Sequence, residues 1–218
     1  MNTKLNLKIL LVNSIFYSFF NFFRDLILWY KRNYSGHSPN FIKRSILIKN
    51  ALPDSIWIET GTYLGQTTKF LSKFCFKIYT IEANLDLFNS SRKYLEKYDN
   101  IVMINATSEI GLERVLSKKI KKNVNFFLDA HGVSNNKTKT YIGKESNPIL
   151  KELNIIKKKI NNLRNFKIFI DDIDWCALDY IEKHKRSKLS LIVNWCTNNN
   201  LYWIISHNIL IISTFDSN

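Results

Sequence analysis

From residue 40 onward, apolar runs of two kinds alternate along the chain. SIWIETG (55–61), KIYTIEA (77–83), IVMINAT (101–107), VNFFLDAHG (124–132) and FKIFIDDI (166–173) are short and nearly continuous, the pattern of buried strands. Between them apolar residues recur at helical spacing over 67–74, 85–98, 111–120 and 148–160. A leading helix is read at 41–52 and a last one at 190–200. The stretch 85–98 puts Leu87, Phe88, Tyr94 and Leu95 on one face, and Pro148 opens 148–160 at its first position. Residues 201–213 read as two strands folded about His207-Asn208. Strand–helix alternation of this kind predicts an α/β domain: a mostly parallel, seven-stranded sheet covered on both faces, closed by a C-terminal antiparallel hairpin.

The segment before residue 39 follows a different pattern. Residues 9–23 carry no charge, and Ser14, Ser18, Asn21 and Asp25 fall at helical spacing. That describes one amphipathic helix with a narrow polar stripe and a broad apolar face. The run is shorter than the roughly 20 residues a spanning helix needs. Three readings stay open: a helix lying in a membrane interface, a cover for the core or for a homodimer partner, and a signal peptide, although no small-residue cleavage site follows. The chain divides as 1–38, helix and linker, and 39–218, the α/β domain.

Charge and cysteine usage narrow the picture only slightly. The net charge is +14, which suits an anionic partner or a solvated surface, but no nucleic-acid-binding motif organises the basic residues. Cys75, Cys176 and Cys196 form no CxxC pair and read as small core hydrophobes, which fits a reducing cytoplasm. A basic, apolar segment over residues 1–32 also allows peripheral contact with the inner face of a membrane.

Polar chemistry gathers where the strands end: Glu59, Glu82, Asp129 and the pair Asp171-Asp172. In open α/β sheets ligands bind at those carboxyl ends. The run Glu59-Thr60-Gly61-Thr62-Tyr63-Leu64-Gly65 joins a strand to a helix, and Glu82 closes the next strand. A carboxylate at that second position can accept both hydroxyls of an adenosine ribose. The spacing is GxxxG, not GxGxxG, and an acid ahead of the loop repels a pyrophosphate but suits a cofactor bearing an ammonium group.

With these residues the sequence resembles the class I S-adenosylmethionine-dependent methyltransferases, whose first motif is E/D-x-G-x-x-x-G and whose second is an acid ending strand two. The wider wording, WIETGTYLGQTT (57–68), YTIEAN (79–84), NATSE (105–109), FFLDAHG (126–132), NPILKEL (147–153) and IFIDDI (168–173), is similar to a narrower bacterial family that occurs with surface-polysaccharide or small-metabolite biosynthesis. The resemblance implies a Rossmann-like fold and S-adenosylmethionine as cofactor. It implies cofactor contacts from Glu59, Gly61, Thr62, Tyr63, Gly65, Glu82 and Asp129, with Thr107 and Ser108 beside the adenine. It also implies methyl transfer to an oxygen of a small-molecule, sugar or glycan acceptor.

Asp129 and His131 end one strand and Asp171 and Asp172 the next, so the four would converge. Asp129, His131 and Asp171 are the candidate catalytic residues, with His131 able to take a hydroxyl proton near neutral pH. Carboxylates this close repel, and Mg²⁺ held by Asp129, Asp171 and Asp172 would relieve that, a layout similar to metal-dependent O-methyltransferases. The polar loop 133–147 reads as an acceptor lid or as a plain insertion, and Trp175 as a packing residue. Two other functions stay open: a nicotinamide- or nucleotide-dependent enzyme, and a non-catalytic module at a membrane surface.

Overall fold

The computed structural model describes residues 3–12, 14–34, 38–130, 134–135, 138–139, 148–160, 163–178, 180–181 and 186–214. Seven strands build its sheet: β1 (Ser55–Thr60), β2 (Lys77–Glu82), β3 (Ile101–Asn105), β4 (Asn123–Leu128), β5 (Phe166–Ile170), β6 (Tyr202–Ser206) and β7 (Ile209–Ser213). Their spatial order is β6-β7-β5-β4-β1-β2-β3. Neighbours from β3 through β5 pair parallel, while β7 pairs antiparallel with both β5 and β6. The order reverses between β1 and β4, at the centre of the sheet, where a crevice for ligands is expected. Two two-residue ladders, 134–135 with 138–139 and 180–181 with 186–187, stand outside this sheet.

The helices in chain order are α1 (Thr3–Val12), α2 (Ile15–Lys31), α3 (Asn40–Asn50), α4 (Gln66–Leu71), α5 (Leu85–Leu95), α6 (Ser108–Leu116), α7 (Ile149–Lys159), α8 (Ile173–Leu178) and α9 (Lys188–Asn198). Side chains alternate across each strand, so both faces of the sheet are apolar. Ile58, Phe126 and Ile168 pack with Leu112, Leu153 and Ile192 on one face. Trp57, Phe127 and Phe169 pack with Leu47 and Leu71 on the other, where Trp57 stacks on Phe169 with ring centroids 5.4 Å apart. Gly111 lets α6 lie close on β2, because a Cβ there would strike the Ile81 side chain at 2.6 Å.

Several boundaries differ from the sequence reading, each for a local reason. The N-terminal segment is two helices, not one: Ser14 is the N-cap of α2, its hydroxyl accepting from the Tyr17 N–H at 3.2 Å. Strand β3 ends at Asn105 and α6 begins at Ser108, with Thr107 at the cap position. Pro148 caps α7 rather than forming its first turn. The apolar run 166–173 holds only a five-residue strand, because Asp172 takes a left-handed φ of 50° and the chain turns into α8. His207 and Asn208 form the β6–β7 turn, as expected. Trp175 is 55% exposed, contrary to the packing role read for it.

Candidate active site

The β1–α4 turn is set by two glycines, with φ of 89° at Gly61 and 74° at Gly65. At Gly61 the left-handed backbone is joined by a steric need, since a Cβ would overlap the Asp129 carbonyl oxygen at the end of β4. The turn is anchored to β2 by Gly61 N–H and Thr62 N–H, which both donate to the Ile81 carbonyl. Gly65 N–H donates to the Thr62 carbonyl at 2.9 Å, and Gly65 then stands as the N-cap of α4.

Glu82 leaves the end of β2 and meets this turn. One carboxylate oxygen accepts from Tyr63 N–H and the other from Asn84 N–H, each at 2.9 Å. Burial pushes its carboxyl above the usual carboxylate range, and these backbone donors pull against that. Each oxygen keeps acceptor capacity, so the carboxylate is fixed in place beside the loop and can still receive hydroxyls. Thr107 and Ser108, at the start of α6, follow the neighbouring end of β3.

Glu59 is not where an ammonium-binding acid was expected. It is 1% exposed and points behind the turn, accepting from Thr68 Oγ1 on α4 and from Thr80 Oγ1 on β2, the latter at 2.6 Å. Thr62 Oγ1 lies 2.6 Å from Thr80 Oγ1, so a chain of hydroxyls links the turn to Glu59. Burial pushes the Glu59 carboxyl up to about 7, more than the two hydroxyls pull it down. The physical reason for its place is register. Glu59 shares a sheet face with Trp57, the face covered by α3 and α4, so it braces the turn from below.

Asp129, Asp171 and Asp172 do converge: one carboxylate oxygen from each lies within 4.8 Å of the others. Asp171 N–H pairs with the Leu128 carbonyl and Asp129 N–H with the Thr60 carbonyl, which aligns the two strand ends. Asp172 N–H donates to Asp171 Oδ1 at 3.0 Å, and Asn208 Nδ2 donates to Asp172 Oδ1 at 3.3 Å. His131 and most of the 133–147 loop lie outside the described residues, as do His37 and His184.

Sequence reasoning missed Lys43. Its ammonium, reaching from the first turn of α3, donates to Asp171 Oδ2 in a salt bridge that buries the carboxylate almost completely. Burial alone would lower the Lys43 pKa, but Asp171, Asp129 and Asp172 together hold it above its ordinary value, fully protonated. Burial raises Asp171 while Lys43 pulls it down, and the net direction is up. Lys43 supplies one positive charge to the three carboxylates that the sequence reading gave to Mg²⁺. In sequence, Lys43 looks like one more solvated lysine of FIKRSILIKN (41–50), and only the tertiary fold distinguishes it. A recess beside this cluster is lined by Ser38, Lys43, Asp171, Asp172, His207 and Asn208. The thiols of Cys75 and Cys196 are pushed up to about 11 by burial, so neither is an activated nucleophile.

The sheet order, parallel from β3 through β5 and closed by an antiparallel pair, is a Rossmann-like fold of the kind that solved methyltransferases have. The chain is similar to a Streptococcus mutans protein assigned as a methyltransferase and solved in complex with SAH, at 16% identity and TM-score 0.51, covering 81% of this chain and 98% of that one. It is also similar to a Staphylococcus aureus protein assigned as a caffeoyl-CoA O-methyltransferase, at 14% identity and TM-score 0.52, over 79% and 80%. A third is the precorrin-6y C5,15-methyltransferase of Geobacter metallireducens, at 13% identity and TM-score 0.52, over 83% and 89%. No protein-family model matches the chain, and no curated protein matches it in sequence.

Proposed function

We propose that this chain binds S-adenosylmethionine and transfers its methyl group to an oxygen of a small hydroxylated acceptor, a sugar or glycan hydroxyl. The observation that carries the reading is Glu82, whose two oxygens are held by Tyr63 N–H and Asn84 N–H beside a turn that the left-handed Gly61 and Gly65 set. That arrangement fits a ribose diol against a close backbone approach. Gly61, Thr62, Tyr63, Gly65 and Glu82 would hold the cofactor, with Thr107 and Ser108 beside its adenine. Bound there, S-adenosylmethionine supplies an electrophilic methyl group. Glu59 acts as a positioning residue that keeps the turn in shape through Thr68 and Thr80.

Lys43, Asp171 and Asp172 line the recess, Asp129 stands beside them in the carboxylate cluster, and together they would orient the acceptor hydroxyl. Lys43, held protonated, donates; Asp129 accepts. His131 is the candidate for taking the hydroxyl proton. Asp129, Asp171 and Asp172 are the residues that would hold a divalent ion, which would lower the pKa of an acceptor hydroxyl.

Calorimetric titration of the purified chain with S-adenosylhomocysteine, with and without Mg²⁺ and EDTA and beside NAD⁺, tests this. Micromolar binding of the homocysteine compound in all conditions, lost in Glu82→Ala, is expected. A folded sample that binds nothing, or that binds NAD⁺ instead, overturns the reading.

A further inference from the structure

Among the described side chains of α2, Tyr17, Asn21, Asp25, Leu26 and Trp29 are the least exposed, so a narrow stripe of mixed polar and apolar groups faces the protein. Trp29 packs edge-on against His207 of the β6–β7 turn at 5.7 Å. The opposite face carries Phe16, Phe19, Phe20, Phe23, Ile27 and Tyr30, and every one is exposed, Phe16 by 79% and Phe20 by 71%. Beside it, α1 exposes Leu7, Leu10 and Leu11. A contiguous apolar surface of this kind marks an interaction site.

Charge identifies the occupant. Over residues 3–34 the chain carries Lys4, Lys8, Arg24, Lys31 and Arg32 against one acid, Asp25, which pairs with Arg24 at 2.8 Å. Arg24 and Lys31 are exposed at the border of the aromatic face. Two copies joined face to face would crowd these cations, whereas anionic headgroups would neutralise them. No helix among the described residues is long and apolar enough to cross a membrane, and the segment breaks at Ser14. A short amphipathic helix rich in phenylalanine with basic borders lies in the interface plane.

We infer that α1 and α2 dock the protein flat on an anionic phospholipid bilayer, with the α2 phenylalanines at the acyl boundary and Arg24, Lys31 and Arg32 among the headgroups. This stands apart from methyl transfer, because the test requires no cofactor. The full chain is co-sedimented with phosphatidylcholine vesicles containing about 30 mol per cent phosphatidylglycerol and with pure phosphatidylcholine vesicles. Wild type should pellet with the anionic vesicles and bind roughly tenfold more weakly to the neutral ones. The triple variant Phe16→Ser, Phe20→Ser, Phe23→Ser should stay in the supernatant while keeping its circular dichroism spectrum. Should that variant misfold, Lys31→Glu with Arg32→Glu, both exposed, should lose the preference for anionic vesicles. Wild type that ignores both vesicles, or variants that bind as wild type does, overturn the inference. So does a wild-type dimer in sedimentation velocity that the triple variant converts to monomer without any vesicle binding, since a second copy would then cover the face.

Discussion

Glutamine at position 59 separates two roles that a buried carboxyl can play. In the folded protein Glu59 titrates near 7, against 4.5 for an ordinary glutamate, because burial outweighs the hydroxyls of Thr68 and Thr80. At about 1.4 kcal/mol for each pH unit of displacement, ionising it in the fold costs about 3 kcal/mol relative to the unfolded chain. The folded state binds the proton more tightly, so this cost is absent below pH 4.5, grows as pH rises, and is complete above 7. Glu59→Gln keeps an amide oxygen for Thr68 and Thr80 but cannot ionise. Its stability relative to wild type should therefore climb with pH, to a plateau about 3 kcal/mol above its acid-side value. Urea unfolding followed by circular dichroism between pH 4.5 and 8 measures this, and the difference between the two proteins cancels the titrating groups that do not interact with Glu59, leaving its repulsion with Glu82 as part of the effect. A flat difference across that range, or one that falls with pH, would refute the assignment of Glu59 as a buried acid in uncompensated surroundings.

Other expectations follow from the same geometry. Lys43→Met should cost about 3–5 kcal/mol near pH 7, because it strands a buried carboxylate. The loss should shrink toward pH 4 as Asp171, whose pKa lies above the ordinary 3.8, takes up a proton. Lys43→Met with Asp171→Asn should recover much of it, and a double variant no better than the single one in urea unfolding would refute the pairing. Gly61→Ala should lose at least about 2 kcal/mol in thermal unfolding, since φ is left-handed and the Asp129 carbonyl is in the way. Gly65→Ala meets only the flexible Leu95 side chain at 2.9 Å and should be the milder of the two.

The central strands were legible because each combines β-branched and aromatic residues in a run bounded by turn residues, as in Ile56–Ile58 or Phe166–Ile170. Glu82 and the glycine turn were legible because a strand end followed by glycine has few alternative conformations. What the pattern hides is direction. Periodicity placed Asn21 and Asp25 on one stripe of α2 but assigned neither side to the protein, and that stripe turned inward. Parity along β1 fixes which face Glu59 shares with Trp57, but only the packing of α4 shows that this face is closed. Lys43 was invisible because its partner lies 128 residues away, and helix α8 because Asp172 breaks an apparently continuous run.

Asn125 sits in the middle of β4, wholly buried. Its side chain receives Leu52 N–H at 3.0 Å, donates back to the Leu52 carbonyl, and donates to Ser55 Oγ at 2.7 Å. Leu52 stands one residue past Ala51, the C-cap of α3, whose eleven residues make a rod about 16 Å long with Lys43 in its first turn. The amide is therefore a pin through one end of a lever, and the load at the other end is an ammonium group among three carboxylates. In a survey of variants, damage at Asn125 would register at the Lys43–Asp171 pair, which Asn125 does not touch.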